Sequence, residues 1–431
     1  MSTPIENNEK EQAYWSYVKR QFKKNKRALF SFYIVCFLAF IALFADVLAN
    51  EKPLYCSYKG NTYFPVFRDY GVMMGFAKWP PDLRNIDWLN AKFDAVVRAP
   101  IPYSPTTLDP FNSGFVSPFG KQDVASTRWR HWLGTENIGR DILASLIHGT
   151  RIALTVGLVS MSIATIIGIL LGALAGFFGD NRIKISRASV IMLLIGLFFA
   201  YFYGFSARSF TMSEAFSVSL LKGFLQFSLS ILIFSAVLGG SYLLGFILKI
   251  IPFLKIKVAI PLDIIVQRLT EIFLSIPRLF LILAIVAIAK PGIFLVMAVI
   301  GFTSWTGISS FIRAELLKVR NLEFIEAAEA LGYSRWRILF KHAIPNALSP
   351  VLIAVAFGIA SAILVESFLS FIGLGIPAEV LTWGKLLALS RGGKSQLWVA
   401  IFPGLAIFLT VTVFNLIGEG LTDALDPRQK K

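Results

Sequence analysis

The side chains that could do chemistry in this chain are few, and their spacing argues against it. Its three histidines, His131, His148 and His342, show no HExxH-type pairing for zinc. Ala388–Ser395 fits a loose phosphate-loop expression, but such a loop needs a β-strand before it and a helix after it within an α/β domain. Here it stands in a short loop between two apolar runs and reads as a chance match. Without a metal cluster or an activated nucleophile, the chain is expected to be non-catalytic, with no cofactor or metal of its own. Ionisable groups inside apolar runs mark function by default, because lipid penalises them. They are Arg278, Arg313, Glu366 and Glu419, with Asn415 as a polar neighbour. All but Glu366 stand near the ends of their runs, within reach of water or headgroups. Glu366, near Ser361, Ser367 and Ser370, is a candidate functional residue, with a helix-packing hydrogen bond as the plainer reading, and Asn415 is a second candidate.

One charged, helix-prone stretch, residues 323–350, lies between two long apolar runs. Ala327, Ala328 and Ala330 are strong helix formers whose small side chains let a partner approach the backbone closely. Gly332 is expected to end that helix in the left-handed conformation. Arg335, Arg337, Lys341 and His342 follow on a second helical run that Ser334 can cap. The result is a helix-turn-helix, acidic first and basic second, that can serve as a rigid lever.

Composition sets the surroundings of these groups. With 55% hydrophobic residues, 16% charged, 39 Phe and a mean hydropathy of +0.66, the chain is too apolar for a soluble domain. In a bilayer protein the net charge of +16 reads as Lys and Arg holding orientation, not as nucleic-acid binding. A spanning helix needs about 20 mostly apolar residues, and that ruler gives eight segments: 28–49, 152–178, 188–206, 224–250, 264–289, 293–312, 350–372 and 398–418. Lys19, Arg20, Lys23, Lys24, Lys26 and Arg27 place the N-terminal segment 1–27 inside, with 28–49 an uncleaved anchor. Alternation then puts the basic loops 180–187, 249–263 and 313–349 and the tail 421–431 in the cytoplasm. Loop 373–397, with Lys385, Arg391 and Lys394 against Glu379, dissents and falls outside.

Residues 50–151 form the one sizeable extramembrane segment. Tyr58, Tyr63, Phe64, Pro65, Tyr70, Trp79, Pro80, Pro81 and Trp88 suggest short strands and turns, packed as a cap. Cys36 and Cys56 are expected at different depths, with no disulfide framework. Gly168, Gly172 and Gly176 make a small-residue face for close helix packing, within the chain or against a second one.

Glu326, Ala327, Ala328, Gly332 and Pro345 match the Glu-Ala-Ala…Gly…Pro pattern of permease subunits in binding-protein-dependent ABC importers, which this chain therefore resembles. The run from His131 to Leu154 resembles dipeptide and oligopeptide permeases, as do Ser370–Gly375, Trp383–Gly384, Gly420–Leu421 and Asp423–Pro427. Ala49–Leu54, Tyr58, Gly60, Tyr63–Pro65 and Tyr70 resemble the microcin C-type peptide importer branch. The resemblance implies an all-α polytopic inner-membrane protein with a permease domain over 152–420. It also implies two ATPase subunits holding ATP and Mg, a second permease, an external binding protein and a peptide cargo. In that family Glu323, Glu326, Ala327, Ala328, Gly332, Arg335 and Pro345 would belong to the loop that docks on the ATPase, and the helix of Glu366 would line the path, which puts Glu366, with Asn415, in the translocation path or its outer gate. The chain departs from many relatives by an insertion at 183–261, expected to pack peripherally, and by Ile344 before Pro345 in place of Leu. Nickel or another non-peptide cargo, or an ion-coupled carrier, are the alternatives. The scarcity of carboxylates in the apolar runs argues against the carrier.

Overall fold

The fold comes from a computed structural model that describes residues 16–218, 220–288, 291–377, 380–392 and 396–425. A helical run over 16–24 precedes helix α1 (Lys26–Leu43), whose N-cap Asn25 accepts from the Ala28 N–H. The polar segment beyond it folds a small antiparallel sheet of β1 (Tyr55–Tyr58), β2 (Asn61–Tyr63) and, after helix α2 (Pro65–Met73), β3 (Ala95–Val97). β1 is central, with Cys56 opposite both Tyr63 and Val96.

Helix α3 (Ile142–Ala173) follows and runs on through a wide turn to Phe178. Strand β4 (Lys184–Ser186), helices α4 (Arg187–Tyr201), α5 (Ser209–Val218) and α6 (Leu220–Ile247), and strand β5 (Lys257–Ala259) come next. Then come α7 (Leu262–Ser275), α8 (Arg278–Ile288) and α9 (Ile293–Val319). The charged stretch holds α10 (Glu323–Ala330), α11 (Arg335–Ile338) and α12 (Ile344–Ala347). α13 (Ser349–Ile372), α14 (Trp383–Leu389) and α15 (Leu397–Leu425) complete the chain.

The architecture is all-α and polytopic, as expected. Among the described residues seven helices are long and apolar enough to cross a membrane, and α7 with α8 forms a pair bent by 79° that can count as an eighth. The span expected at 264–289 is therefore broken, because Pro277 removes a backbone donor and disfavours helix at Ile276. Three other boundaries move. α3 begins at Ile142 and not 152, because Asp141 caps it by accepting from the Ala144 N–H at 2.6 Å. Its first turns carry His148 and Arg151, which an apolar ruler passes over. The first helix breaks at Phe44, and a four-residue helix, Ala45–Leu48, carries on almost to 49. The last continues to Leu425, into the expected tail. Glu379, Lys394, Arg428, Lys430 and Lys431, used for loop orientation, and the 393–395 end of the phosphate-loop match lie outside the described residues.

Backbone packing divides the chain into Met1–Ala173 with Thr270–Lys431, and Leu174–Leu269. In the first unit, α3 packs against α9 and α13 with little space between backbones. A Cβ on Gly168 would come within 2.7 Å of Ile308 Cβ, and one on Gly172 within 2.5 Å of the Ser309 carbonyl. These two glycines thus serve contact within the chain. Val156, Ile282, Val296, Met297, Ile300 and Leu369 fill the core, and the Ser160 hydroxyl donates to the Met297 carbonyl at 2.9 Å. The second unit contains the insertion. β4 and β5 pair antiparallel, Lys184 opposite Ala259 and Ser186 opposite Lys257, tying its two ends together. Asp180 accepts from the Asp263 and Ile264 amides and so caps α7.

Candidate functional site

The charged stretch is built on α10. Ile325 and Ala328 point inward, while Glu323, Glu326, Ala327 and Ala330 are exposed. Glu323 and Glu326 fall in the first turn, where the helix dipole favours negative charge. The C-terminus closes by paired backbone bonds: Tyr333 N–H to the Ala328 carbonyl at 3.2 Å, and Gly332 N–H to the Glu329 carbonyl at 3.0 Å. That motif requires a left-handed residue at position 332, and Gly332 has φ of +77°. Ser334 then caps α11 through the Arg337 N–H.

The second half is less regular than expected. α11 has four residues and passes through a wide turn at Leu339–Ala343 into α12, where exposed Pro345 sits in the first turn and needs no N–H. Ile338, Leu339, Ala343 and Ala347 are buried and fix this half from beneath. Arg335, Lys341 and Pro345 face outward.

An aromatic face accompanies the charges. Trp336 is 51% exposed and stacks on Phe340 with ring centroids 6.1 Å apart, and the Arg337 guanidinium lies 4.6 Å from the Tyr333 ring centroid. The i, i+3, i+7 spacing of 333, 336 and 340 carries the signal for it, but the neighbouring charges dominate a reading of this stretch as lever. Exposed aromatics on a short, internally braced segment suit protein contact.

The two residues assigned to a path lie in different surroundings. Glu366 is only 1% exposed: Ser370 donates to its Oε1 at 2.6 Å, Ser367 to its Oε2 at 3.4 Å, and Thr382 adds a third hydroxyl. Thr382 caps α14 through the Lys385 amide, so Glu366 ties α13 to the start of α14. Gly384 packs directly on the Ser367 carbonyl. Asn415 is exposed on α15. Arg278, also from an apolar run, donates to Ser304 at 2.6 Å.

A polar cluster that sequence reasoning missed sits just before α3. His131 is fully buried, its Nδ1 2.8 Å from Asp141 and its Nε2 3.1 Å from Asp109. Tyr103 stacks on the ring at 4.3 Å and donates to the Trp129 carbonyl. Burial opposes the charged ring, but hydrogen bonds and charge from Asp141 and then Asp109 outweigh it, raising the His131 pKa above the ordinary value. No metal-ligating cluster occurs among the described residues.

Two family matches bear on this geometry. Residues 241–431, which include the charged stretch, match the binding-protein-dependent transport system inner membrane component. Residues 13–65, with α1, match the N-terminal transmembrane domain of oligopeptide transport permease C. The chain thus carries two domains of ABC transport permeases, resembles the permeases of binding-protein-dependent transport systems, and is a multi-pass inner-membrane protein. It is similar to the peptidoglycan transport system permease protein YejE of Agrobacterium fabrum, 27% identical over 95% of this chain and 92% of that one. It is likewise similar to the inner membrane ABC transporter permease protein YejE of Escherichia coli, 26% identical over 97% of both. The dipeptide transport system permease protein DppC of Alkalihalophilus pseudofirmus is 29% identical over 70% of this chain and 73% of its own length.

Proposed function

We propose that this permease imports peptides or peptide-like compounds, with α10 and the turn after it as the handle through which two partner ATPases drive it. ATP and Mg are bound by those partners, a second permease subunit completes the pathway, and an external binding protein delivers cargo. Both termini and the 313–349 loop face the cytoplasm. Closure of the ATPases pushes the handle and switches the pathway between outward-open and inward-open, using the differential binding energy any such switch requires. Glu366 serves the outer gate by holding α14 to α13, and Asn415 lines the path.

The observation that carries this reading is the two-faced construction of α10. Ile325 and Ala328 are buried and the end is locked by a left-handed glycine, while Glu323, Glu326, Ala327 and Ala330 are left outward. A peptide cargo is supported by the names of several relatives, the dipeptide permease DppC among them.

Co-purification from membranes with the candidate ATPases and second permease tests it. Glu326→Lys reverses charge on the exposed face, and Gly332→Asp strains the turn. Both are expected to weaken ATPase capture by roughly tenfold, about 1.4 kcal/mol, while the second permease is retained. Gly332→Asn, which tolerates the left-handed region, is expected to restore much of the capture. Full ATPase capture by both Glu326→Lys and Gly332→Asp would remove the handle from the mechanism.

A further inference from the structure

We propose that residues 64–76 form a lipid-binding foot, and that the open groove between this segment, α1 and α3 holds an acyl chain of a membrane phospholipid. The inference goes beyond the transport reading and needs only that α1 and α3 lie in the bilayer.

The groove measures about 790 Å³ and is mostly apolar. Ala39, Ala42 and Leu43 from α1 and Leu154 and Leu158 from α3 give it one end. The other end is polar. Asp46, three residues past α1, accepts a hydrogen bond from the Tyr70 hydroxyl of α2 and pairs with Arg151 of α3 at 2.7 Å. Arg151 also donates to the Ala42 carbonyl at 2.7 Å, closing the backbone end of α1. Hydrocarbon walls below a carboxylate, guanidinium and phenol match the profile of one lipid from acyl chain to ester region.

α2 adds the foot. Phe64, Phe67, Gly71 and Met74 recur at i, i+3, i+7 and i+10 and share one helix face. Phe67 is 56% exposed, Met74 66% and Phe76 86%. Other contacts tie the helix to protein: Val66 is buried, Asp69 pairs with Lys52 at 2.6 Å, and Arg68 donates to the Lys78 carbonyl. A short helix anchored by its polar side at the end of a span, with Phe and Met outward, has the composition of an interfacial helix.

What covers this face follows from continuity. Phe67 and Tyr70 line the same groove as Leu43 and Leu158, which are themselves exposed on two helices apolar enough to span. Lipid that solvates those helices meets no boundary before it reaches α2. Arg151 has its charge matched by Asp46, so the groove offers no net charge for an ionic cargo.

The test places nitroxide labels at Phe67→Cys, Met74→Cys and Phe76→Cys in the full-length Cys36→Ser chain, reconstituted in phosphatidylethanolamine and phosphatidylglycerol nanodiscs. Cys56 is buried and stays unlabelled. Collision with oxygen relative to a water-soluble nickel chelate is read by electron paramagnetic resonance, with labels at Leu158 and Ser113 as lipid and water references. At all three sites the ratio is expected to match Leu158 and to exceed Ser113 several-fold. A nickel-dominated signal like that of Ser113 would place the foot in water and overturn the proposal. Low collision with both agents would mean that protein, such as a second subunit, covers the face, and would overturn it equally.

Discussion

A neutral imidazole has one N–H, so a histidine whose two ring nitrogens each face a carboxylate oxygen is satisfied only as the imidazolium. His131 is in that position between Asp109 and Asp141. Its pKa is raised on folding, so its stabilisation is complete below the ordinary value near 6.5 and is lost as pH rises through the folded value. Asp109 runs the other way. Burial pushes its carboxyl up, but Asn112, His131 and the Phe111 amide bring it below its usual range. Its contribution is lost only as pH falls through that lowered value. The cluster is therefore strongest from mildly acidic pH up to the ordinary histidine value, and weakens as pH rises through the raised one. Thermal unfolding in detergent should show stability declining on the alkaline side for the native chain, and His131→Gln should flatten that decline. His131→Ala should cost about 3–5 kcal/mol near pH 6, because two carboxylates are left facing each other. None of this was legible in the sequence: 109, 131 and 141 are joined by turns whose geometry no periodicity encodes, and an isolated histidine carries no pattern.

At the level of helices the apolar runs were read well, and the errors share a cause. Hydropathy measures what lipid accepts, whereas a helix begins where a cap satisfies its first amides. α3 starts ten residues before its expected span because Asp141 caps it and His148 and Arg151 find partners at the end of the first apolar run, His148 on the Ala49 carbonyl and Arg151 on Asp46. The bend at Pro277 was equally present in the sequence, but one proline in a long apolar run does not announce whether a helix kinks or stops. Glycine spacing, by contrast, announced close packing, and only the partner helix was open. Gly172→Ala drives a methyl toward the Ser309 carbonyl and should destabilise the fold by about 1–3 kcal/mol. Gly307→Ala on α9, which meets open space, should be neutral or stabilising by up to about 1 kcal/mol. Melting both variants beside the native chain checks the pair. Equal losses would show that the α3–α9 contact is looser than drawn.

The whole molecule carries an accessory unit that begins and ends at one place. The insertion was visible as two extra apolar runs in 183–261, but the pairing of its ends was not, because β4 and β5 are three residues each and far apart in sequence. The Ile260 N–H donates to the Ile183 carbonyl at 3.0 Å, so residues 184–259 can be excised and Ile183 joined to Ile260 through two or three glycines. The shortened chain should insert in membranes and still capture its partners in the co-purification assay. Failure to insert would show that the extra helices are needed for folding of the rest.

The same ladder sets an order of events during synthesis. Lys184 and Ala259 are 75 positions apart, so their pairing waits until the apolar helices between them have left the ribosome. Closing a loop that long costs entropy that a six-residue ladder cannot offset unless α4 and α6 have already come together. The neck is thus a late seal: α7 acquires its cap from Asp180 near a junction that stays open until the inserted pair is complete.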